Sequence, residues 1–282
     1  MDIDFERLLP NRPEDTDIRP VEFGEARYPG LVVDGFYRDP DHVRAFAQAL
    51  RYKAPASCHP GRVALASLSP APLVSFVYER LGHHYFASPE VMQQEAGACQ
   101  LFRLEPGEGA SARPLPQRPH ADHGLLAGLV YLNRPEHCRG GTSFFRHTGT
   151  GAEELFPREL MAGQCPDGRP SSWQPDPEVK ERMWRQGAQR RYQQAKDAGK
   201  VSSYDAYWKL LTNAPGAESG PILASCGEWE LTEVVEMKYN RLLLFPGFLL
   251  HSAHFDLSWF DNAPHAWRLT QNWMFNWPGI AR

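Results

Sequence analysis

The sequence lacks a surplus of basic charge: its 282 residues carry 30 Lys and Arg against 34 Asp and Glu, a net charge of −4. General nucleic-acid binders usually show a basic excess, so no nucleic-acid partner is expected. No apolar run approaches the about 18 residues of a membrane-spanning helix, so no membrane partner is expected either. The opening MDIDFERLLP has acid where a secretory leader needs basic and then apolar residues. CxxC spacing is missing. The five cysteines (Cys58, Cys99, Cys138, Cys165 and Cys226) form an odd set, which argues against a zinc ribbon or a disulfide framework and for reduced thiols in the cytoplasm. Internal repeats and low-complexity tracts are absent. The Gly-x-Ser-x-Gly of serine hydrolases and the HExxH of zinc hydrolases are absent too. Gly140-Gly141 is not followed by Lys-Ser/Thr, so it reads as a turn and not as a phosphate loop.

What is present is proline and aromatic character. The chain has 25 Pro and is 12% aromatic, a mixture that predicts short strands joined by irregular loops. A chain of this length can bury a sizeable core without disulfide staples. The length allows one or two domains, and a single domain over residues 1–282 is the reading expected here. Asp39-Pro40-Asp41 should open a helix through HVRAFAQALRY, and 71–84 should form a second. Residues 1–95 then read as a helical flank with extended, proline-punctuated pieces. From about 97 the pattern becomes that of strands: ACQLFRLEP, LLAGLVYLN (125–133), TSFFRH, the two halves of YNRLLLFPGFLLHSA (239–253) and RLTQNWMFNW (268–277). Residues 150–222 interrupt this β pattern with helical sequence, and Ser202 or Ser203 is suited to cap its last helix. The basic residues Arg182, Arg185, Arg190 and Arg191 form either a solvated helix face or a contact for an anionic partner.

Pro119-His120-Ala121-Asp122 is the most informative stretch. Residues two apart on a strand point the same way, so His120 and Asp122 can aim an imidazole nitrogen and a carboxylate oxygen at one point. A third ligand must come from elsewhere. His251, which ends the apolar run LLLFPGFLLH, is the leading candidate, and His254 is its rival. His123 should face the opposite way, and His265 stands in no motif. His83, His84, His137 and His147 read as surface or hydrogen-bonded histidines. Two His and one carboxylate on one face of a metal leave open positions, which suits Fe(II), oxygen and a second substrate.

The order HAD, LAGLVYLN, RGGTSFF, NRLLLFPGFLLH and RLTQNW resembles the 2-oxoglutarate- and Fe(II)-dependent oxygenases, in particular their prolyl-hydroxylase-like branch. The likeness spans 97–149 and 238–277, about a third of the chain. It implies a mainly β fold with flanking helices: a double-stranded β-helix (jelly roll, cupin-like) formed by 96–149 and 223–282, with a helical insertion at 150–222. It implies that His120, Asp122 and His251 hold Fe(II), and that Arg268 binds the distal carboxylate of 2-oxoglutarate. Thr270 would add a hydrogen bond. Tyr131 either contacts this cosubstrate or is a barrel aromatic whose hydroxyl is satisfied elsewhere. The implied activity is that of a dioxygenase. It consumes O2 and 2-oxoglutarate, releases succinate and CO2, and hydroxylates an amino acid or a peptidyl residue. Asp122 argues against halogenation, since halogenating members lack this carboxylate, while desaturation and ring closure stay open. The competing readings are a non-catalytic jelly-roll binding protein and a cupin-type metalloenzyme that does not use 2-oxoglutarate.

Two spacings depart from the family. Asp122 to His251 is lengthened by the insertion, and His251 to Arg268 by SAHFDLSWFDNAPHAW. Both segments are candidate substrate lids. Trp173, Trp184, Tyr204, Tyr207, Trp208, Trp259 and Phe260 stand in or near them, either to grip substrate or to anchor the insertion. Neither the substrate nor the oligomeric state is legible at this level.

Overall fold

A computed structural model describes residues 5–53, 61–66, 71–97, 99–104, 118–122, 124–162, 173–214, 222–259 and 267–280. Its strands are β1 (Asp17–Phe23), β2 (Tyr28–Asp34), β3 (Arg62–Ala66), β4 (Cys99–Leu104), β5 (Gly124–Tyr131), β6 (Gly141–His147), β7 (Trp229–Glu236), β8 (Arg241–Pro246), β9 (His251–His254) and β10 (Arg268–Asn276). The helices are α1 (Pro40–Ala49), α2 (Ala71–Arg80), α3 (Pro89–Gln94), α4 (Arg158–Met161), α5 (Pro177–Glu181), α6 (Ala188–Asp197) and α7 (Tyr204–Asn213). None of the described helices is long and apolar enough to cross a membrane.

The architecture is mainly β. Seven strands form an antiparallel sheet in the order β1-β2-β8-β5-β10-β4-β3, and three form a second sheet in the order β7-β6-β9. Every residue of β5 is buried, because this strand lies between β8 and β10 and is covered on both faces. On one face Tyr131 reaches across to Thr142 of β6, hydroxyl to hydroxyl, at 2.8 Å. Phe245 of β8 meets Phe144 of β6 on the same side, with ring centroids 5.2 Å apart. On the other face Trp273 of β10 packs on Phe36, which packs on Phe76 of α2. The helices of the first hundred residues thus cover the outside of the large sheet. As the sequence predicts, the Asp39 side chain accepts from the His42 amide to start α1.

The helical flank expected for 1–95 needs correction. It supplies three of the seven strands, and β2 pairs directly with β8. Pro20 is tolerated in β1 because that strand is the sheet edge, where the missing N–H disturbs no second ladder.

The insertion is helical as expected, and it packs on the outer face of the small sheet. Phe145, Trp229 and Leu250 of the β framework share an apolar cluster with Ala195, Tyr207 and Leu211 of α6 and α7. Ser203 caps α7 by accepting from the Ala206 amide. Its basic face is not simply solvated. Arg182 bonds Glu22 and the Arg27 carbonyl, and Arg191 is buried against Glu153 and Glu154. The anionic partners of these two arginines are Glu22 of β1 and, at the insertion's own start, Glu153 and Glu154.

Candidate metal centre

His120, Asp122 and His251 come together. One ligand atom from each lies within 4.8 Å of the others. His251 Nε2 is 3.4 Å from Asp122 Oδ2, and His120 Nε2 is 3.8 Å from Asp122 Oδ1. The backbone sets this convergence. His120 and His251 exchange reciprocal amide–carbonyl hydrogen bonds of 2.9 Å, and the Asp122 amide donates to the Gly247 carbonyl at 2.7 Å. Gly247 is required at that approach: a Cβ there would meet the Gly124 oxygen at 2.6 Å and the Asp122 Cβ at 3.4 Å.

Both imidazoles are oriented through their other nitrogen. His251 Nδ1 lies 2.8 Å from the Leu249 carbonyl, and His120 Nδ1 lies 3.3 Å from the Arg118 carbonyl. A carbonyl can only accept, so each Nδ1 carries a hydrogen and each Nε2 is left facing Asp122, able to donate to the carboxylate when protonated and to offer its lone pair to a cation when neutral. Burial alone would pull the His251 pKa down, but the Asp122 carboxylate outweighs it and the net direction is up. A place that favours a proton also suits a cation. The His251 side is closed by Phe245, whose ring centroid is 4.8 Å away. The His120 side chain is 41% exposed, so solvent reaches the cluster from that side.

His254 is not in the cluster. Its Nδ1 is 2.7 Å from Ser143 Oγ, and burial followed by the charge of Arg268 holds its pKa down. His147 bonds Thr150, and His83 stacks on His84, all away from the cluster. His123, His265, Cys58, Cys165 and Phe260 lie outside the described residues.

Arg268 begins β10 and is only 8% exposed. Among the described residues one hydrogen bond holds its guanidinium, from Nη2 to the Gly141 carbonyl at 3.2 Å. Its Nε is buried without a partner, and no carboxylate among the described residues pairs with it. Its Cζ lies 5.8 Å from the centroid of the Tyr131 ring. Burial draws the Arg268 pKa down, with Tyr131 the one opposing influence. Thr270 stands directly opposite Tyr131 in the β10–β5 register. The Tyr131 hydroxyl is satisfied by Thr142, and burial pushes its pKa up.

Sequence reasoning alone misses Asn133. Its side chain grips the main chain on both sides of Arg268, donating to the Trp267 carbonyl at 2.8 Å and accepting from the Leu269 amide at 2.8 Å. The signal for it is its place at the end of Val-Tyr-Leu-Asn, where an apolar strand stops on a buried polar residue.

The candidate gripping aromatics are mostly packing residues. Trp173 is buried, donates to the Tyr85 carbonyl and packs on Trp277. The Tyr204 hydroxyl bonds both backbone groups of Phe156, and Tyr207 is buried. Trp208 lies under Arg158. Trp259 is the exposed one among those described, at 39%, with its ring 6.0 Å from that of His254.

Comparison with known proteins adds a family. No curated protein matches the chain. A family model described as a family of unknown function (DUF6445) matches residues 14–164, just over half of the 282. The matched span runs from β1 into the start of the insertion. It holds His120, Asp122 and Tyr131, while His251, Arg268 and Thr270 lie beyond it. On this match the chain belongs to the DUF6445 family.

Proposed function

We propose that the protein is an Fe(II)- and 2-oxoglutarate-dependent oxygenase built on a double-stranded β-helix. It hydroxylates a C–H bond of an amino acid or a peptidyl residue, with release of succinate and CO2, and works in the cytoplasm. The observation that carries this reading is Arg268, a guanidinium buried between the two sheets which, among the described residues, has an unpartnered Nε and no counter-charge. A buried unpaired charge is costly. An anionic ligand that enters beside it removes that cost, and a carboxylate fits its fork in bidentate fashion.

The donor set also fits a metal. Two neutral imidazoles and one carboxylate, converging within 4.8 Å and open to solvent beyond His120, are the donors that Fe(II) takes while keeping positions free for other ligands. Bound iron would supply oxygen activation and the oxidising power. The chain supplies the rest. His120, Asp122 and His251 hold the metal, and Arg268 grips the far end of the cosubstrate. Asn133 fixes the backbone that carries Arg268. Tyr131 and Thr142 close the floor beneath its guanidinium. Phe245 and Phe144 form an apolar wall that keeps water from the His251 side.

The test is spectroscopic first. Fe(II) and 2-oxoglutarate added without oxygen should give a weak visible charge-transfer band in the wild-type protein and none in Asp122→Ala. With oxygen, succinate should form, and a panel of amino acids and peptides should yield a product one oxygen atom heavier. Absence of both the band and succinate would reject the proposal.

A further inference from the structure

The helical insertion holds main chain beside both halves of the metal-ligating cluster. Residues 153–155, at its start, run along the segment that leads into His251. The Leu250 amide donates to the Glu153 carbonyl at 2.7 Å, and the Leu155 amide donates to the Phe248 carbonyl at 2.8 Å. Glu154 and Leu249 form a β-bridge between these bonds. The Leu249 carbonyl then takes the His251 Nδ1 hydrogen bond at 2.8 Å. The imidazole is therefore oriented by a carbonyl whose own position depends on 153–155.

That segment is held in turn by several groups: Arg146 of β6 donates to Glu153 Oε1 at 2.9 and 2.7 Å, and the Glu25 amide donates to Glu153 Oε2 at 2.7 Å. From α6, Arg191 Nη1 contacts both Glu154 oxygens at 2.6 and 2.5 Å, and its Nη2 donates to Glu153 Oε2 at 3.0 Å. All three side chains are buried, at 5%, 0% and 3% exposure. A smaller tie serves the other half of the cluster: Arg118, two residues before His120, donates to the Thr212 carbonyl of α7 at 2.9 Å.

We propose that Arg191 is a positioning residue for His251, acting through Glu153, Glu154 and the main chain of 248–250. The inference rests on the metal-centre reading given above. Apolar packing between α6, α7 and the small sheet tolerates slippage, whereas a planar fork between two buried carboxylates accepts one arrangement. Lysine offers a single point charge and cannot serve both acids in that geometry. The insertion thus works as a brace on the metal-holding strand.

The experiment titrates metal-free protein with Co(II), whose visible bands report ligand geometry, and compares four proteins. Wild type should bind Co(II). Arg191→Lys should bind it about tenfold or more weakly, the loss typical of groups that orient a ligand from behind, with shifted bands. In its metal-free state the His251 Nδ1 proton should exchange faster by NMR. Glu153→Gln should move all three readouts the same way by less. Leu211→Ala, which opens the insertion's apolar cluster without touching the fork, should lower the melting temperature yet leave Co(II) affinity within about twofold, as separate sites do.

Wild-type affinity and bands in Arg191→Lys would overturn the inference while leaving the metal centre standing. Equal loss of affinity in Leu211→Ala and Arg191→Lys would overturn it as well, since the cause would then be general loosening. Should Arg191→Lys not fold, unchanged readouts in Glu153→Gln would overturn it in the same way. Failure of wild type to bind Co(II) would overturn the metal reading and this inference with it.

Discussion

Two buried arginines, Arg191 of α6 and Arg268 of β10, have surroundings that could hardly differ more. Arg191 lies among Glu153, Glu154 and Glu25. Burial by itself would draw its pKa down, but Glu154 and then Glu153 carry it above the ordinary arginine value. Arg268 has one carbonyl, an unmatched Nε and a pKa drawn down by burial. The first charge is completed by the chain itself. Among the described residues the second has no such partner, and a buried guanidinium in that state favours an anion beside it.

The contrast can be attacked from either arginine. Removing the completed charge should do the most damage. Arg191→Met strands Glu154 while Glu153 keeps Arg146, and denaturant unfolding should show a loss of about 3–5 kcal/mol. A loss below about 1 kcal/mol would mean that the cluster is not the tie it looks to be. Next in size is Arg268→Met, which should weaken 2-oxoglutarate binding to metal-loaded protein about a hundredfold, or ~3 kcal/mol, by calorimetry. The same variant without ligands should not be destabilised. Removing an unpaired buried charge should raise unfolding stability by about 1 kcal/mol, the reverse of the Arg191 result.

A pH series refines the Arg191 side. Burial pushes the Glu154 carboxyl up from 4.5 to about 7, against the pull of Arg191. The folded state therefore holds this proton more tightly than the unfolded chain. The contribution is fully present below pH 4.5 and is lost as pH rises through about 7. Glu154→Gln should flatten that part of the stability–pH curve, and an unchanged slope would assign it to another group. The smallest effect is expected at Tyr131→Phe. The variant removes the bond to Thr142 but keeps the ring under Arg268, so unfolding stability should fall by about 1 kcal/mol.

The sequence reveals local patterns and hides pairings. HxD spacing, the apolar run before His251 and the alternation around Arg268 are short-range signals, and β5, β6, β8, β9 and β10 follow from them. Asp39 and Ser203 are readable as caps because capping depends on residues three apart. Strands β1, β2 and β3 are not readable as part of the large sheet. Their membership rests on partners such as Leu243 opposite Val32, more than two hundred positions away. Arg191 misleads for the same reason. In QRRYQQAKD it looks like a surface residue, and only the fold brings Glu153 and Glu154 to it. A pair of acids wedged between Ala152 and Leu155-Phe156 is the hint available, since apolar neighbours on both sides suggest that the acids go inward.

The reciprocal amide bonds between His120 and His251 have a consequence for ion choice. With the two imidazoles spaced by main chain, capture of a cation would require little ordering of the polypeptide, and the entropy that a floppy chelator would forfeit would already be spent. Selection among divalent ions then falls to the donors' intrinsic preference. That preference follows the general rise from manganese to copper, so occupancy in a living cell would track which ion the surroundings supply most freely.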